Sequence, residues 1–472
     1  MTRAETDELE RRADLPLLWI VLVGVIVGAA GGLGAWIFRL MIGFVHNLLF
    51  LGRLDLDYDA NVHTPASPWG AAVILVPVIG AIGVVYLVKN FAPEAKGHGV
   101  PEVMDAIYYK EGEIRPTVAA IKSAASALSI GSGGSVGREG PIIQIGAAFG
   151  STVGKLVRLS ALDTRLLVAA GAGSGIAATF NAPFGAILFS IELLLVTVST
   201  RAILVVSAAV ITGVEIARQL IGSGRAFTVL DLQTSTVFDL DWIGALALVV
   251  LGLMIGVVSA VLIKGLYWTE DQFEGRFKNP YLAHMTGMLV VGLGMYAFFL
   301  WLGTYSIQGV GYATITDVLQ GALTNPWTLL ALAVAKLIVT SLTLGSGASG
   351  GIFSPALFVG ATIGAGLGQI LIAAGVDVDP VVLALGGMAG AVAGTTGAAL
   401  TAIAMITEMT GDLGALIPLV IVVIVAGSVR ELISPSTMYT EKLVRRGRPV
   451  PQGLEAEGVG RFKLGGRSDS AT

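Results

Sequence analysis

Two glycine-rich stretches decide how this chain folds: GSGGSVGREGP at residues 131–141 and GSGASGGIFSP at residues 345–355. Each stretch ends in a proline. The match extends upstream without a gap, because Lys122 and Leu128 align with Lys336 and Leu342 at the same offset of 214 residues. A long internal match of this kind predicts two structurally equivalent halves.

The composition indicates a membrane protein. Of the 472 residues, 54% are hydrophobic and 13% are charged, and the mean hydropathy is +0.80. A helix needs about 20 apolar residues to cross a bilayer. Runs close to this length lie at 17–40, 68–87, 241–263, 285–302 and 413–429. Other apolar stretches are interrupted by Gly, Pro or a charge, so the sequence predicts an all-α polytopic membrane protein with some broken helices.

Two further landmarks repeat in the same order. GHGVPEVMD at 97–105 matches GVGYATITD at 309–317, and PFGAILFSIE at 183–192 matches ALTAIAMITE at 399–408. Together they predict one membrane domain made of two halves, residues 16–222 and 239–434, joined by a linker at 223–238. The predicted flanking segments are a cytoplasmic N-terminal segment at 1–15, a C-terminal helix at 435–447 and a polar tail at 448–472.

Charge and residue usage exclude several classes of function. The net charge is −4 and no basic stripe is present, so no nucleic acid is expected as a partner. Cysteine is absent, and His46, His63, His98 and His284 lack metal-ligand spacing, so neither a metal nor a cofactor is predicted. Basic residues flank the first and last apolar runs, which predicts that both termini are cytoplasmic in a plasma (inner) membrane protein.

Three glycine-rich turns end in a proline: Pro101, Pro141 and Pro355. Proline at the first helical position fixes the direction of the helix, and the preceding glycines leave amide groups uncovered. A helix start of this kind offers free N–H donors and a partial positive charge, which favour an anion. The turn residues predicted to bind the anion are His98, Gly99, Gly137, Arg138 and Gly140.

Glu139 is a carboxylate inside a site suited to anions. When ionised it competes with the anion, and when protonated it leaves the site, so it is predicted to act as a gate sensitive to pH or voltage. The alternative is a structural ion pair between Glu139 and Arg138. Against this alternative, adjacent residues at a helix start point apart.

The sequence resembles the CLC family of chloride channels and chloride/proton exchangers, in its prokaryotic form without CBS domains. The resemblance covers nearly the whole chain and rests on GHGVP (97–101), GREGP (137–141), GIFSP (351–355) and STMYTEKL (436–443) in the order and spacing of the family. It implies a homodimer of subunits that each carry an anion pathway. Each subunit would have two inverted repeats and about eighteen tilted, often broken helices.

The resemblance also implies site residues. The backbone amides of Ile352 and Phe353 and the hydroxyl of Tyr439 would hold the central anion, and Glu139 would be the external gating glutamate. Neutral donors bind chloride well enough to remove its water and still let it leave. Chloride is the expected ion, with protons as a further partner in exchanging members and membrane lipid around the protein.

Two positions depart from the family. The family commonly has serine where this chain has His98, which either donates to the anion, titrates near neutral pH, or faces the vestibule without binding. At the internal proton-uptake position the chain has Leu193, directly after Glu192, and leucine carries no proton. The sequence therefore favours a passive channel or weakly coupled transporter, with a chloride/proton antiporter as the alternative, in which another acid such as Glu113 takes up protons.

Other matched charges have two interpretations. Glu192 and Glu408 are predicted to be structural acids satisfied near helix ends. Lys122 and Lys336 either raise the potential of the anion pathway or reach toward a membrane interface. The protein is predicted not to be an enzyme. An intramembrane enzyme with Glu139 as acid or base is the distant alternative, but the sequence shows no partner nucleophile or metal near that residue.

Overall fold

The computed structural model describes residues 15–227, 229, 242–451 and 455–456. In this part of the chain, eight helical segments are long and apolar enough to cross a membrane. The predicted class, an all-α polytopic membrane protein, is confirmed. Most of the predicted N-terminal segment, linker and polar tail lies outside the described residues, and the boundaries of the two halves stay predictions.

The α-helices in chain order are α1 (Leu17–Leu51), α2 (Val76–Phe91), α3 (Val100–Tyr109), α4 (Pro116–Gly131), α5 (Glu139–Val157), α6 (Ala161–Phe180), α7 (Pro183–Phe189), α8 (Thr200–Ile221), α9 (Trp242–Arg276), α10 (Pro280–Leu302), α11 (Tyr312–Leu319), α12 (Pro326–Ser346), α13 (Phe353–Ala373), α14 (Pro380–Thr396), α15 (Ala399–Thr410), α16 (Leu416–Ile433) and α17 (Met438–Arg445). Short 3₁₀ turns cover Gly70–Leu75 and Pro93–Ala95, and a π-helical turn covers Ser190–Leu195. A two-residue parallel ladder pairs β1 (Thr197–Val198) with β2 (Glu455–Ala456).

The five predicted apolar runs lie in α1, α2 with its preceding 3₁₀ turn, α9, α10 and α16. Three further candidate spans, α8, α12 and α13, are absent from the sequence prediction. Helix α8 carries Arg201, Glu215 and Arg218, and α12 carries Lys336, so charges mask their apolar character. Helix α13 is interrupted by proline and several glycines. Hydropathy runs alone therefore undercount the spans.

The two halves use the same close packing of helices. A Cβ atom on Gly146 of α5 would strike the carbonyl oxygen of Gly171 in α6. In the second half, a Cβ on Gly360 of α13 would strike the carbonyl oxygen of Gly387 in α14. Glycine is required at these positions because the helix backbones touch directly. The repeated glycines thus have one physical cause in both halves.

The glycine-rich turns meet on an approximate two-fold axis. The amide of Gly137 donates to the carbonyl of Gly351 over 2.7 Å, and the amide of Gly351 donates back to Gly137 over 2.6 Å. These two glycines are equivalent in the repeat. A residue that pairs reciprocally with its own equivalent lies at the symmetry axis. The halves are therefore joined at the turns that the repeat identified.

The matched acids link the halves in the same reciprocal manner. Glu192 accepts the amides of Leu400 and Thr401 at the start of α15, over 3.0 and 2.8 Å. Glu408 accepts the amides of Phe184 and Gly185 at the start of α7, over 2.9 and 2.7 Å. Each carboxylate thus caps a helix of the opposite half and offsets its partial positive charge. The prediction that both acids are structural is confirmed.

Candidate anion pathway

The three glycine turns converge as predicted. Gly97 donates to Ala348 over 2.9 Å and accepts from Gly350 over 3.2 Å, which ties the first turn to the third. The reciprocal pair of glycines at the two-fold axis ties the second turn to the third. Gly99 lies against the second turn, because a Cβ on it would lie 2.7 Å from the carbonyl oxygen of Gly140. Its φ of +85° also favours glycine at the start of α3.

The helix starts differ from the sequence prediction by one or two residues. Helices α3, α5 and α13 begin at Val100, Glu139 and Phe353, not at the prolines that follow. Helical dihedral angles begin early, since Arg138 and Ile352, the residues before α5 and α13, already have ψ near zero. Proline is tolerated throughout the first turn because those positions need no N–H donor. Glu139 therefore belongs to the helix itself.

The carboxylate of Glu139 lies at the start of α13. Glu139 is 1% exposed. Its Oε2 atom accepts the amide of Ser354 over 3.4 Å, and its Oε1 atom accepts the hydroxyl of Tyr312 over 2.9 Å and the hydroxyl of Ser354. A carboxylate of the first half thus accepts one amide and two hydroxyls at a helix start of the second half, where an anion is favoured.

Arg138 does not pair with Glu139. Its guanidinium lies over the ring of Tyr312, 5.2 Å from the centroid, and donates weakly to the carbonyl of Thr179 over 3.4 Å. No ion pair joins Arg138 to its neighbour within the described residues. The alternative of a structural pair between residues 138 and 139 is therefore wrong. The backbone direction at the helix start separates the two side chains.

Tyr312 and Ser354 are functional candidates that the sequence analysis did not name. Both hydroxyls contact the Glu139 carboxylate, and both residues are buried. Tyr312 is held by an edge-on contact with Phe227, with ring centroids 5.1 Å apart. The sequence motifs could have identified both residues, because Tyr312 lies in the repeated GVGYATITD stretch and Ser354 lies in GIFSP.

Ile352 and Phe353 lie directly beside this carboxylate at the start of α13. Ile352 caps the helix and Phe353 is its first residue, so their amides have no acceptor within the helix. Both side chains are buried, and the Phe353 ring packs against Phe180 with centroids 5.3 Å apart. The predicted amide donors are therefore at the same helix start that receives Glu139.

His98, in the first turn, and Tyr439 lie together, with ring centroids 5.7 Å apart. The hydroxyl of Tyr267 donates to the carbonyl of Met438 over 2.7 Å, so its oxygen is free to accept from His98 Nε2, 3.3 Å away. This arrangement places the histidine proton on Nε2. Nδ1 is buried without a partner among the described residues and then carries a lone pair.

Cavities with different charge approach the turns. One of about 80 Å³ is lined by Arg39, Arg138, Arg218 and Arg225, with no acid among its described lining residues. A second, of about 420 Å³, reaches Tyr267 beside His98 and has mixed charge, from Lys96, Lys442, Arg445, Arg446, Glu102, Glu270, Asp271 and Glu274. A purely basic cleft concentrates anions. Only Arg138 of the four arginines was predicted from sequence.

The matched lysines are fully buried and do not reach a membrane interface. Lys122 donates to the carbonyls of Ala95 and Gly97 over 3.0 and 2.7 Å. Lys336 makes the equivalent bonds to Ile307 and Gly309 over 3.1 and 2.8 Å. The interface alternative is therefore wrong. Each lysine holds in place the turn that precedes a helix start, because its ammonium group donates to two carbonyls of that turn.

The position at which exchanging members of the family carry an internal proton-uptake acid is occupied here by a buried leucine. Leu193 is 6% exposed and lies in the π-helical turn after α7. Glu113, the alternative acid, lines a separate cavity of about 910 Å³ that also contains Glu94, Glu102 and Gln144. Gln144 lies near the first turn, because a Cβ on Gly99 would lie 3.1 Å from its Oε1 atom.

The amino-acid sequence matches one family model and several known proteins. The family model described as voltage gated chloride channel matches residues 79–431. The chain is 30% identical over 452 residues to the H(+)/Cl(−) exchange transporter ClcA of Vibrio parahaemolyticus, which covers 93% of this chain and 92% of the relative. It is 31% identical over 394 residues to ClcA of Vibrio cholerae, covering 80% of each chain.

Solved structures share the fold. A slow cyanobacterial Cl−/H+ antiporter superposes with a TM-score of 0.77 at 24% identity, covering 92% of this chain and 99% of that chain. A CLC-type fluoride/proton antiporter superposes with a TM-score of 0.72 at 23% identity, covering 90% and 97%. With the family match over most of the chain, these likenesses and the converging turns lead to one conclusion: the protein belongs to the CLC family of voltage-gated chloride channels and transporters and is a multi-pass membrane protein of anion transport.

Proposed function

We propose that each subunit conducts chloride through a pathway gated by Glu139, as a passive channel or weakly coupled transporter. The observation that carries this proposal is the position of the Glu139 carboxylate on the donors at the start of α13. An ionised carboxylate and a chloride ion compete for the partial positive charge at this helix start, where the amides of Ile352 and Phe353 directly precede that of Ser354. Chloride therefore enters when the carboxylate leaves.

Protonation is the step that releases the gate. The ionised carboxylate is held by the amide of Ser354 and by the hydroxyls of Ser354 and Tyr312. Hydrogen bonds to a charged acceptor are about twice as strong as those to a neutral one. A protonated Glu139 loses this advantage, so an anion displaces it more readily. We expect flux to rise as the pH falls.

The central anion site is proposed at the amides of Ile352 and Phe353 and the hydroxyl of Tyr439, flanked by the turn residues His98, Gly99, Gly137 and Gly140. The arginine-lined cavity, which includes Arg138, supplies anions to the gate. His98 is the unusual member, because neutral His98 directs its only N–H toward Tyr267. It can donate to an anion from Nδ1 only as an imidazolium.

We infer weak or absent proton coupling because leucine replaces the acid at the internal proton-uptake position. Leu193 cannot carry a proton, and the neighbouring Glu192 is engaged by two amides and a hydroxyl at the start of α15. A chloride/proton antiporter is the second candidate, favoured by the names of the Vibrio relatives. In that case the cavity that contains Glu113 would take up protons.

We further propose a homodimer in the plasma membrane with both termini in the cytoplasm. Many large apolar side chains of α1, α9 and α10 are exposed on the isolated subunit and suit contact with lipid or a second subunit. Catalysis is not proposed. In the described part of the chain, no group of three His, Asp or Glu side chains could hold a metal ion.

The deciding experiment measures chloride and proton flux together from liposomes with a chloride gradient. We expect wild-type chloride flux to increase on acidification without uphill proton movement, and Glu139→Gln to remove the pH dependence. Glu215→Gln, an exposed acid on α8, is the matched control and keeps it. An unaltered pH profile in Glu139→Gln would contradict the gate. Uphill proton movement would establish the antiporter, and turnover of a lipid or peptide without anion flux would favour an enzyme.

A further inference from the structure

We propose that the cavity between α2, α9, α10 and α12 binds an anionic phospholipid at the membrane surface. The cavity has a volume of about 370 Å³. Its lining combines an apolar part, formed by Val85, Val88, Phe273 and Phe277, with a basic part, formed by Lys89, Lys96 and Lys278. The proposal does not rest on the transport function proposed above, although Lys96 and Glu274 also line the mixed-charge cavity that reaches Tyr267.

The position of the cavity fits the level of lipid headgroups. Four candidate membrane spans have an end at this cavity: Gly70–Phe91, Trp242–Arg276, Pro280–Leu302 and Pro326–Ser346. The ends of apolar spans mark the boundary between hydrocarbon and water. A molecule bound here would place its polar part among the lysines and its chains along the helices.

The charge pattern selects an anion. Lys96 is engaged by Glu274 over 2.9 Å and by Glu270 over 3.7 Å. In the part of the chain that the structure describes, no carboxylate forms an ion pair with Lys89 or Lys278. Glu274 also lines the cavity, so it repels an anion unless Lys96 continues to neutralise it. Two lysines thus remain to hold one phosphate group.

The apolar part suits an acyl chain better than a free phosphate ion. Phe273 near the end of α9 stacks on Phe277, the residue directly after the helix, with ring centroids 5.7 Å apart. The Lys89 ammonium lies over the ring of Tyr281, 5.9 Å from its centroid, so a cation and an aromatic ring meet at the edge of the cavity. Inorganic phosphate would leave this apolar surface uncovered. We therefore assign the site to a phospholipid.

Part of the cavity lining consists of residues in or next to the glycine-rich turns. Gly345 and Ser346 at the end of α12, and Gly347 directly after it, line the cavity and begin the glycine-rich stretch 345–355. Lys96 lies two residues before His98. His284 Nδ1 lies 2.9 Å from the hydroxyl of Ser346 and connects α10 to the same place. A bound lipid would stiffen the segments that carry the turns.

Native mass spectrometry of the full chain in mild detergent tests the proposal, with phosphatidylglycerol and phosphatidylcholine as probes. We expect tighter binding of phosphatidylglycerol, and a loss of about 25-fold in its affinity in the Lys89→Gln/Lys278→Gln double variant, at about fivefold for each lysine near an anionic headgroup. Lys264→Gln removes an exposed lysine from the same helix α9, outside the cavity, and is expected to bind like wild type.

Three results would overturn the assignment. Equal retention of the two lipids would show that the lysines do not select an anion. An equal loss in Lys264→Gln would show a general effect of charge. Displacement of the lipid by inorganic phosphate would identify a free-phosphate site. Chloride flux of each variant is measured in parallel, so a misfolded protein is recognised and the binding result stands apart from the transport mechanism.

Discussion

Replacing Tyr312 with phenylalanine removes one hydroxyl from the gate and keeps the ring. The hydroxyl lies 2.9 Å from Glu139 Oε1 and donates to the ionised carboxylate. The ring contacts to Phe227 and to the guanidinium of Arg138 need no hydroxyl. Tyr312→Phe therefore changes the stability of the closed, ionised gate more than it changes the packing of α11.

The size of the effect follows from the type of hydrogen bond. A hydrogen bond to a buried charged group contributes about 1.5–3 kcal/mol. Because one pH unit corresponds to about 1.4 kcal/mol, the loss moves the pH of half-maximal chloride flux by about one to two units. The direction is upward, since the hydroxyl stabilises the ionised form and its removal makes protonation easier. The variant is thus expected to conduct at a higher pH than wild type.

The assay is chloride efflux from liposomes over a range of external pH, with Tyr86→Phe as the control because Tyr86 is exposed and distant from the gate in sequence. Thermal unfolding of both variants checks that the fold is intact. A midpoint within about 0.3 units of wild type would refute the reasoning, because it would mean that the hydroxyl contributes less than about 0.4 kcal/mol to the ionised gate. A downward shift would refute the assignment of the donor.

Three other predictions concern the turn that contains His98, a buried lysine and an ion-paired aspartate. His98→Ser replaces a nitrogen lone pair with a hydroxyl donor and should tighten chloride binding about tenfold at pH 7.5 by calorimetry; unchanged affinity would remove His98 from the site. Lys336→Met leaves two buried carbonyls without donors and should lower the unfolding free energy by about 2–4 kcal/mol, whereas Lys264→Met should not. Burial raises the pKa of Asp105, but hydrogen bonds from Lys110 and Arg448 outweigh this effect and lower the pKa below 3.8. Asp105→Asn should therefore lower the free energy of unfolding at neutral pH by roughly 1 kcal/mol. The effect is small because both basic partners are about half exposed to solvent. This stability is present above the unfolded pKa and is lost as the pH falls through the folded value; a difference between the two proteins that does not shrink as the pH is lowered would contradict the linkage.

The sequence predicted the architecture because a repeat preserves the requirements of packing. The spacing of Gly137 and Gly351 located the contact between the halves, and Glu192 and Glu408 located two helix caps. Individual helix starts were displaced by one or two residues, since proline is compatible with the whole first turn. Hydropathy also missed α8 and α12, whose charged residues lower the average of an otherwise apolar segment.

The surroundings of Glu139, the proposed gate, could be predicted only in part. Glu139 was identified from its own motif, but its partners come from parts of the chain that are 173 and 215 residues away. Periodicity and spacing contain no information about such pairs. The same limit applies to His98, whose protonated nitrogen is determined by Tyr267 on a distant helix. A residue type defines which chemistry is available, and the tertiary contact defines which atom performs it.

The repeat also explains why the proposed gate occurs at only one of two equivalent positions. Glu139 and Phe353 are equivalent in the two halves, and each is the first residue of its helix. Glu139 reaches across to the donors of the second half, whereas Phe353 packs against Phe180 of the first half. An apolar ring neither competes with chloride nor carries a proton. The two-fold arrangement therefore supplies two similar helix starts that differ at three adjacent positions, 138–140 against 352–354. Only the first half has a carboxylate at the first helical residue, which is the asymmetry that the proposed gate requires.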